Sequence, residues 1–404
     1  MEVGRVEGYR RAIPGRFVEL SEFERKTAGF FHPVCGVNFY RGKPSVAALV
    51  TRLEAIVAAN PWLAGEYRKH PVSENFPSLW VPHNPDIRQC VRVVDIPELR
   101  EGAGYATLEK CMRPLIVNGG EAGRPPALEP LFLMAVGVGS DDTFCLSFSM
   151  CHTLGDAHTL YRIISMLAGG EITAMRTRRI PKEEADSMCR EVSGPERLKW
   201  MTSPFHLIPF LLKSMLLPKN RVIYHYVNEE WIRKEKKRLQ PSRESGVKYI
   251  STNDVLASTV MRSMRMPWCN MLVNLRGRFP EKDLGDVAGN LITAMLYFPP
   301  EYKEPVGIRL PFTGQRHSTT LPGRVTSALG NMGTFTSRAS WSTEVPIPGC
   351  VHLFHLPFRP RQGNSQCVVW RASNDRLAIG FNGTDDTLLK LSSHPMLGKQ
   401  ILPQ

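Results

Sequence analysis

The stretch Phe144-Cys145-Leu146-Ser147-Phe148-Ser149-Met150-Cys151-His152-Thr153-Leu154-Gly155-Asp156-Ala157 decides how this chain folds. Phe144, Leu146, Phe148 and Met150 alternate with the two-residue period of a strand, which carries His152 onto the same apolar face and predicts that it points inward. Beyond it, Ala157, Leu160, Tyr161, Ile164 and Leu167 recur at helical spacing until Gly169-Gly170. His152 therefore closes a strand and Asp156 opens a helix. On the other side, the extended run from Leu131 meets this strand through the turn-rich Gly139-Ser140-Asp141-Asp142, predicting a hairpin.

Taken alone, His152 and Asp156 also read as an interior histidine followed by a helix-capping aspartate. The chemical reading is that an imidazole poised near neutrality takes the proton of an attacking hydroxyl, itself a poor nucleophile at neutral pH.

Further out, Phe17-Val18-Glu19-Leu20-Ser21 reads as a short strand ending in a helix cap, and Val37 to Arg41 as another strand. Ser45 to Asn60 predicts a helix with Ser45 as N-cap and one apolar stripe, stopped by Pro61. From about Thr177 to Arg221 the texture changes, with charged and helix-breaking residues followed by the apolar run Pro204 to Pro218. That run is too short for a bilayer, so a buried crossover is favoured over an interfacial membrane segment. Strands are then expected at Val222 to Val227, Met271 to Leu275, Leu291 to Phe298, Val351 to Leu356, Cys367 to Arg371 and Arg376 to Phe381. A helix capped by Ser251 is expected to run through Arg262.

With 404 residues, the chain exceeds one ordinary core, and 42% apolar and 22% charged residues place it in the globular class. The net charge of +13 suits nucleic acid, an anionic membrane or a phosphate-bearing cofactor without choosing among them. Its densest basic run, Arg233-Lys234-Glu235-Lys236-Lys237-Arg238, reads first as the solvated face of a helix. Nine cysteines without a Cys-x-x-Cys pair, an N-terminus lacking a signal-peptide core and no long apolar run lead to the expectation of a cytoplasmic protein. No metal site is expected, because His158, His352 and His355 lack partners at ligand spacing. No P-loop or dinucleotide fingerprint is present.

The segment from Phe144 to Ala157 resembles the strand, motif and helix of the BAHD acyltransferases and the wider chloramphenicol-acetyltransferase-like superfamily. Other stretches agree in order. Leu20-Ser21-Glu22-Phe23 resembles an early Leu-Ser-x-x-Asp, and Leu53 to Gly65 resembles a passage of helix, Pro, x, Leu, Ala, Gly. Ile250-Ser251-Thr252-Asn253-Asp254 resembles a Ser-Thr-Asn-Asp helix start, and Val273 to Arg278 with Gly289-Asn290 resembles "Asp-x-Arg-x-Arg … Gly-Asn". Two departures mark a divergent member: Ala157 stands where the family has Gly, and the Asp-Phe-Gly-Trp-Gly pentapeptide is absent.

The resemblance implies an α/β fold of two chloramphenicol-acetyltransferase-like domains, each a mixed β-sheet flanked by helices, with a substrate tunnel at their interface. The expected division is an N-terminal half over 1–176, a crossover linker over 177–221 and a C-terminal half over 222–404. It implies a monomeric transferase of secondary metabolism moving an acyl group from acyl-CoA, a co-substrate and not a resident cofactor, to a small-molecule alcohol or amine. His152 is the implied base. Asp156 and Arg276 form a structural pair, and Ser340 or Trp341 is the candidate for the developing oxyanion, although Ser340 also reads as a turn residue. Lys248, Ser251 and Thr252 lie where the family meets CoA, but Ser251 is equally a helix cap. A carrier-protein donor, as in condensation domains, is disfavoured because Cys151 stands where those have a second histidine. A catalytically silent binding protein on the same scaffold is the remaining alternative.

Overall fold

A computed structural model describes residues 14–27, 32–70, 78–117, 130–206, 208, 220–315, 317, 321, 332–358 and 365–403. Most of the apolar run 204–218 lies outside them, as does the N-terminal segment 1–13. The described residues form fifteen strands: β1 Gly15–Val18, β2 Val34–Arg41, β3 Glu66–Arg68, β4 Ser78–Pro82, β5 Val91–Asp95, β6 Phe132–Val138, β7 Thr143–Met150, β8 Arg221–Val227, β9 Trp268–Asn274, β10 Ile292–Tyr297, β11 Met332–Ser337, β12 Val351–Leu356, β13 Ser365–Ser373, β14 Arg376–Gly383 and β15 Leu397–Gln400. They form two mixed sheets and a small antiparallel one.

The first sheet has the order β12-β2-β7-β6-β5, with β5 and β6 parallel and the rest antiparallel. Its centre is the expected hairpin of β6 and β7, whose turn places Asp141 and Asp142 at φ of 57° and 52°, a left-handed conformation that Asp tolerates. Every residue of β7 is buried, because both faces of the sheet are covered. One face packs on the helices Val46–Ala59 and Ala157–Leu167 through Phe144, Leu146, Phe148 and Met150. Ser45 stands at the start of the former helix but makes no side-chain capping bond, whereas Ser21 and Glu24 form a reciprocal pair at the start of the helix Glu22–Thr27.

The second sheet has the order β10-β9-β11-β13-β14-β8-β15. Its outer face packs on the helix Thr252–Met264, which runs two residues past the expected end, through Cys269, Met271, Phe335, Val369 and Phe381. The other face meets the first sheet in a shared core, where Cys35, Val37, Phe39 and Leu133 join Val368, Trp370 and Ala378. Trp370, fully buried, donates its indole N–H to the carbonyl of His355 at 2.8 Å.

β12 belongs by sequence to the expected C-terminal half but pairs with β2 as the edge of the first sheet. The loop before it is tied down too, since the Tyr40 hydroxyl donates to the Val345 carbonyl at 2.8 Å. The basic run lies on the helix Glu229–Arg238, where Ile232 is buried and Lys234 and Arg238 pair with Glu230 and Glu235. No described helix is long and apolar enough to cross a membrane, and none of the nine cysteines forms a disulfide.

Because β2 takes its outer neighbour from residues 351–356, the N-terminal segment 1–221 expressed alone is expected to lack a cooperative unfolding transition by circular dichroism. A sharp transition for that fragment would contradict this account of the first sheet.

Candidate active site

β7 stops at Met150, and the backbone then turns at Cys151 to Leu154, with the Leu154 N–H donating to the Cys151 carbonyl at 2.9 Å. Strand alternation therefore does not extend to His152, and the expectation that strand phase aims it is corrected. The turn directs the half-buried imidazole, and a partner from the second half of the chain holds it. His152 Nδ1 lies 2.9 Å from Asn290 Oδ1. Asn290 Nδ2 donates to the His152 carbonyl at 2.7 Å and to Glu24 Oε1 at 3.1 Å. Both of those partners are acceptors, so the amide nitrogen must face them and the amide oxygen must face the ring. Nδ1 then carries the hydrogen, and the neutral ring keeps its lone pair on Nε2.

The support behind Asn290 is ionic. Glu24, 1% exposed, pairs with Arg179 at 2.8 Å. Arg179 also donates to the carbonyls of Thr153 at 3.2 Å, Leu154 at 3.4 Å and Ala288 at 3.0 Å. One guanidinium thus ties the turn after His152 to the segment that carries Asn290. Sequence reasoning missed these roles. Glu24 follows Phe23 directly, in the place of the Asp of Leu-Ser-x-x-Asp, and Asn290 stood in the "Gly-Asn" resemblance, so both left a signal. Arg179 left none, because its partners are mostly backbone carbonyls distant in sequence.

The two oxygens of Asp156 have different partners. Its Oδ1 accepts the N–H of Thr159 at 3.1 Å, capping the helix Ala157–Leu167. Its Oδ2 accepts from Arg276 Nη1 at 2.8 Å and from the Leu291 N–H at 3.0 Å. Arg276 donates further to the carbonyls of Val287 at 3.0 Å and Gly289 at 2.9 Å. Burial alone would raise the Asp156 pKa, but the Arg276 guanidinium and the two backbone N–H donors outweigh it and hold the carboxyl below its ordinary value. Asp156 and His152 are therefore linked through consecutive residues, Leu291 binding one and Asn290 the other.

The remaining candidates lie elsewhere. Ser340 is exposed and lines a cavity of about 470 Å³ with Lys236, Tyr249, Ser251, Thr252 and Arg371. Lys248 is exposed beside Tyr249. Ser251 caps its helix reciprocally with Asp254, its hydroxyl accepting the Asp254 N–H at 3.2 Å. Trp341 stacks on Tyr161 at 5.0 Å and meets His158 edge-on at 5.9 Å. A second cavity, of about 780 Å³, is lined by Phe23, Glu24, Arg179, Leu198, Asn290 and Leu291 among others, so it adjoins the groups that hold His152. Cys151 is buried, its sulfur 3.1 Å from the Tyr67 hydroxyl. Among the described residues, no three His, Cys, Asp or Glu side chains gather as metal ligands would.

Arg276→Met leaves Asp156 buried without its cation and is expected to destabilise the fold by about 3–5 kcal/mol, with Asp156→Asn in the same chain recovering part of that, as read by denaturant unfolding. The folded pKa of Asp156 lies below the unfolded one, so the unfolded chain takes up the proton first on acidification. The contribution of Asp156 is complete above its ordinary value of 3.8 and is lost as pH falls through the depressed folded value, an acid-side loss that Asp156→Asn should abolish.

No family model matches the sequence, and no curated protein matches it. Solved structures do match in shape. TRI101 of F. sporotrichioides, complexed with coenzyme A and T-2, aligns over 96% of this chain and 100% of its own at 15% identity and a TM-score of 0.60. Polyketide synthase associated protein 5 from Mycobacterium tuberculosis aligns over 95% of this chain and 98% of its own at 14% identity and a TM-score of 0.60. The first condensation domain of the CDA synthetase aligns over 96% and 98% at 12% identity and a TM-score of 0.54. At these identities the likeness is one of fold: the chain has the two-domain, mixed α/β architecture of chloramphenicol-acetyltransferase-like acyltransferases and condensation domains.

Proposed function

We propose that this chain is a CoA-dependent acyltransferase that moves an acyl group from a thioester to a hydroxyl or amine of a small-molecule acceptor, with His152 as general base in a ternary complex. The observation that carries the reading is the Asn290 amide, which accepts the Nδ1 hydrogen and leaves the lone pair on Nε2. That is the tautomer a base needs. The acceptor proton passes to Nε2 as its oxygen or nitrogen attacks the thioester carbon, and collapse of the tetrahedral oxyanion expels the CoA thiolate, which recovers a proton from the imidazolium. Asp156 and Arg276 act as positioning residues, fixing the segment that presents Asn290.

Acyl-CoA as donor is supported by the TRI101 complexes with coenzyme A and by the basic and hydroxyl residues of the 470 Å³ cavity, Lys236, Ser251, Thr252 and Arg371; the exposed Lys248 directly precedes the lining residue Tyr249 in sequence. The placement of Ser340 in that cavity, next in sequence to Trp341 against the helix following His152, supports the reading that one of the two meets the thioester oxygen. The domain reading, halves over 1–176 and 222–404 joined by 177–221, is retained as part of this proposal, with β12 exchanged into the first sheet. A carrier-protein donor has the condensation-domain likeness in its favour, but the place of a second histidine is filled by the buried thiol of Cys151.

His152→Ala is expected to lower acyl transfer by about 10²–10⁴-fold while leaving the unfolding midpoint unchanged, measured as free-CoA release over a panel of thioesters and acceptors. Near-normal release would overturn the role of His152. For the cofactor side, Ser251→Ala should cost about 1 kcal/mol of stability through the lost cap, whereas Ser251→Asn should keep most of it. A raised KM for the thioester in both variants supports CoA contact; a KM unchanged in both leaves Ser251 a cap alone.

A further inference from the structure

β11 sends Thr336 and, just past its end, Arg338 to the face that meets the first sheet, since Thr336 stands beside Val368 of the shared core. Arg338 is 2% exposed, and its Cζ lies 5.7 Å from the ring of Tyr161. Neither Nε nor Nη1 of Arg338 has a hydrogen-bond partner among the described residues. A guanidinium cannot shed its proton at any ordinary pH, so a buried one calls for an anion.

Among the described residues, no carboxylate pairs with Arg338. Tyr161 bonds His355 Nε2 at 2.8 Å, and His355 Nδ1 and His352 Nε2 both approach Asn38 Oδ1, at 3.3 and 2.9 Å. Burial holds His355 neutral and pushes the Cys35 thiol up to about 12, so neither offers a negative charge. Glu344 sits at His352, 3.8 Å from its Nδ1. Two further buried polar atoms also lack partners among the described residues, Thr336 Oγ1 and Asn38 Nδ2. The unmet groups at this junction are donors or can donate.

We infer that Arg338 is an anion-recognition residue, holding a compact oxyanion, a carboxylate or phosphate carried by a small-molecule ligand, in the junction between the two sheets. The ligand class follows from the charge and the planar donor fork, which matches both groups. That the ligand is a substrate of acyl transfer rests on the reading above; that the site takes an anion does not.

The test is thermal unfolding and calorimetric titration of the full chain with succinate and with inorganic phosphate as probes. The wild-type chain is expected to be stabilised by one or both. Succinate alone would assign a carboxylate, and phosphate alone a phosphate. Arg338→Met should unfold at a higher temperature than wild type without anion, because an uncompensated buried charge has been removed, and should bind the probe at least about tenfold more weakly. Arg338→Gln provides the same comparison where the Met variant does not fold. His152→Ala should keep the full anion response, which separates this site from the proposed chemistry. No stabilisation of wild type by either probe, or an equal response in the Arg338 variants, would overturn the assignment.

Discussion

The contact between Asp156 and Arg276 joins residues 120 apart, and much of the site is arranged around it. A carboxylate that is nearly fully buried must have each oxygen satisfied, and here the requirement is met from two directions. One oxygen starts the helix Ala157–Leu167. The other receives the Arg276 guanidinium and the Leu291 N–H, so that the second half of the chain is drawn against the first at the residues following His152. The separation of Asn290 from His152 is thus set by an ion pair that touches neither. The same economy applies to Arg179, whose guanidinium reads the backbone of both segments while neutralising Glu24.

These two ion pairs differ from those on the surface of the molecule. Lys234 with Glu230 and Lys390 with Asp386 are exposed, screened and of small energetic weight. The inner pairs sit where solvent does not compete, and their value lies in fixing geometry as much as in stability, because a buried charge tolerates only the arrangement that satisfies it.

The elements legible in the sequence were those defined by a local period or a local cap. The β6–β7 hairpin, the helix from Asp156 and the helix from Ser251 all fall within a residue or two of expectation, because alternation and capping are short-range signals. Arg276 was legible only through resemblance; its guanidinium lies 2.8 Å from the Asp156 carboxylate. What was not legible is long-range. Nothing in Val351 to Leu356 says that it joins β2 and not its neighbours in sequence, since a period-2 run carries no address. Arg338 is the sharper case: in the sequence it is one arginine among the many that give +13, and only the packing of Tyr161 and the shared core shows it to be enclosed.

The exchange of β12 also governs when the first sheet can exist. Asn38 meets His352 across 314 residues. At about 5–20 residues per second, a ribosome takes roughly 15–60 s to bring the second after the first has emerged. Throughout that interval the outer edge of β2 has every N–H and C=O that β12 will later bind open to other chains. The site residues before Arg276 wait with it. The protein is therefore committed to late, whole-chain folding, and its vulnerability to association is greatest during synthesis and not after it.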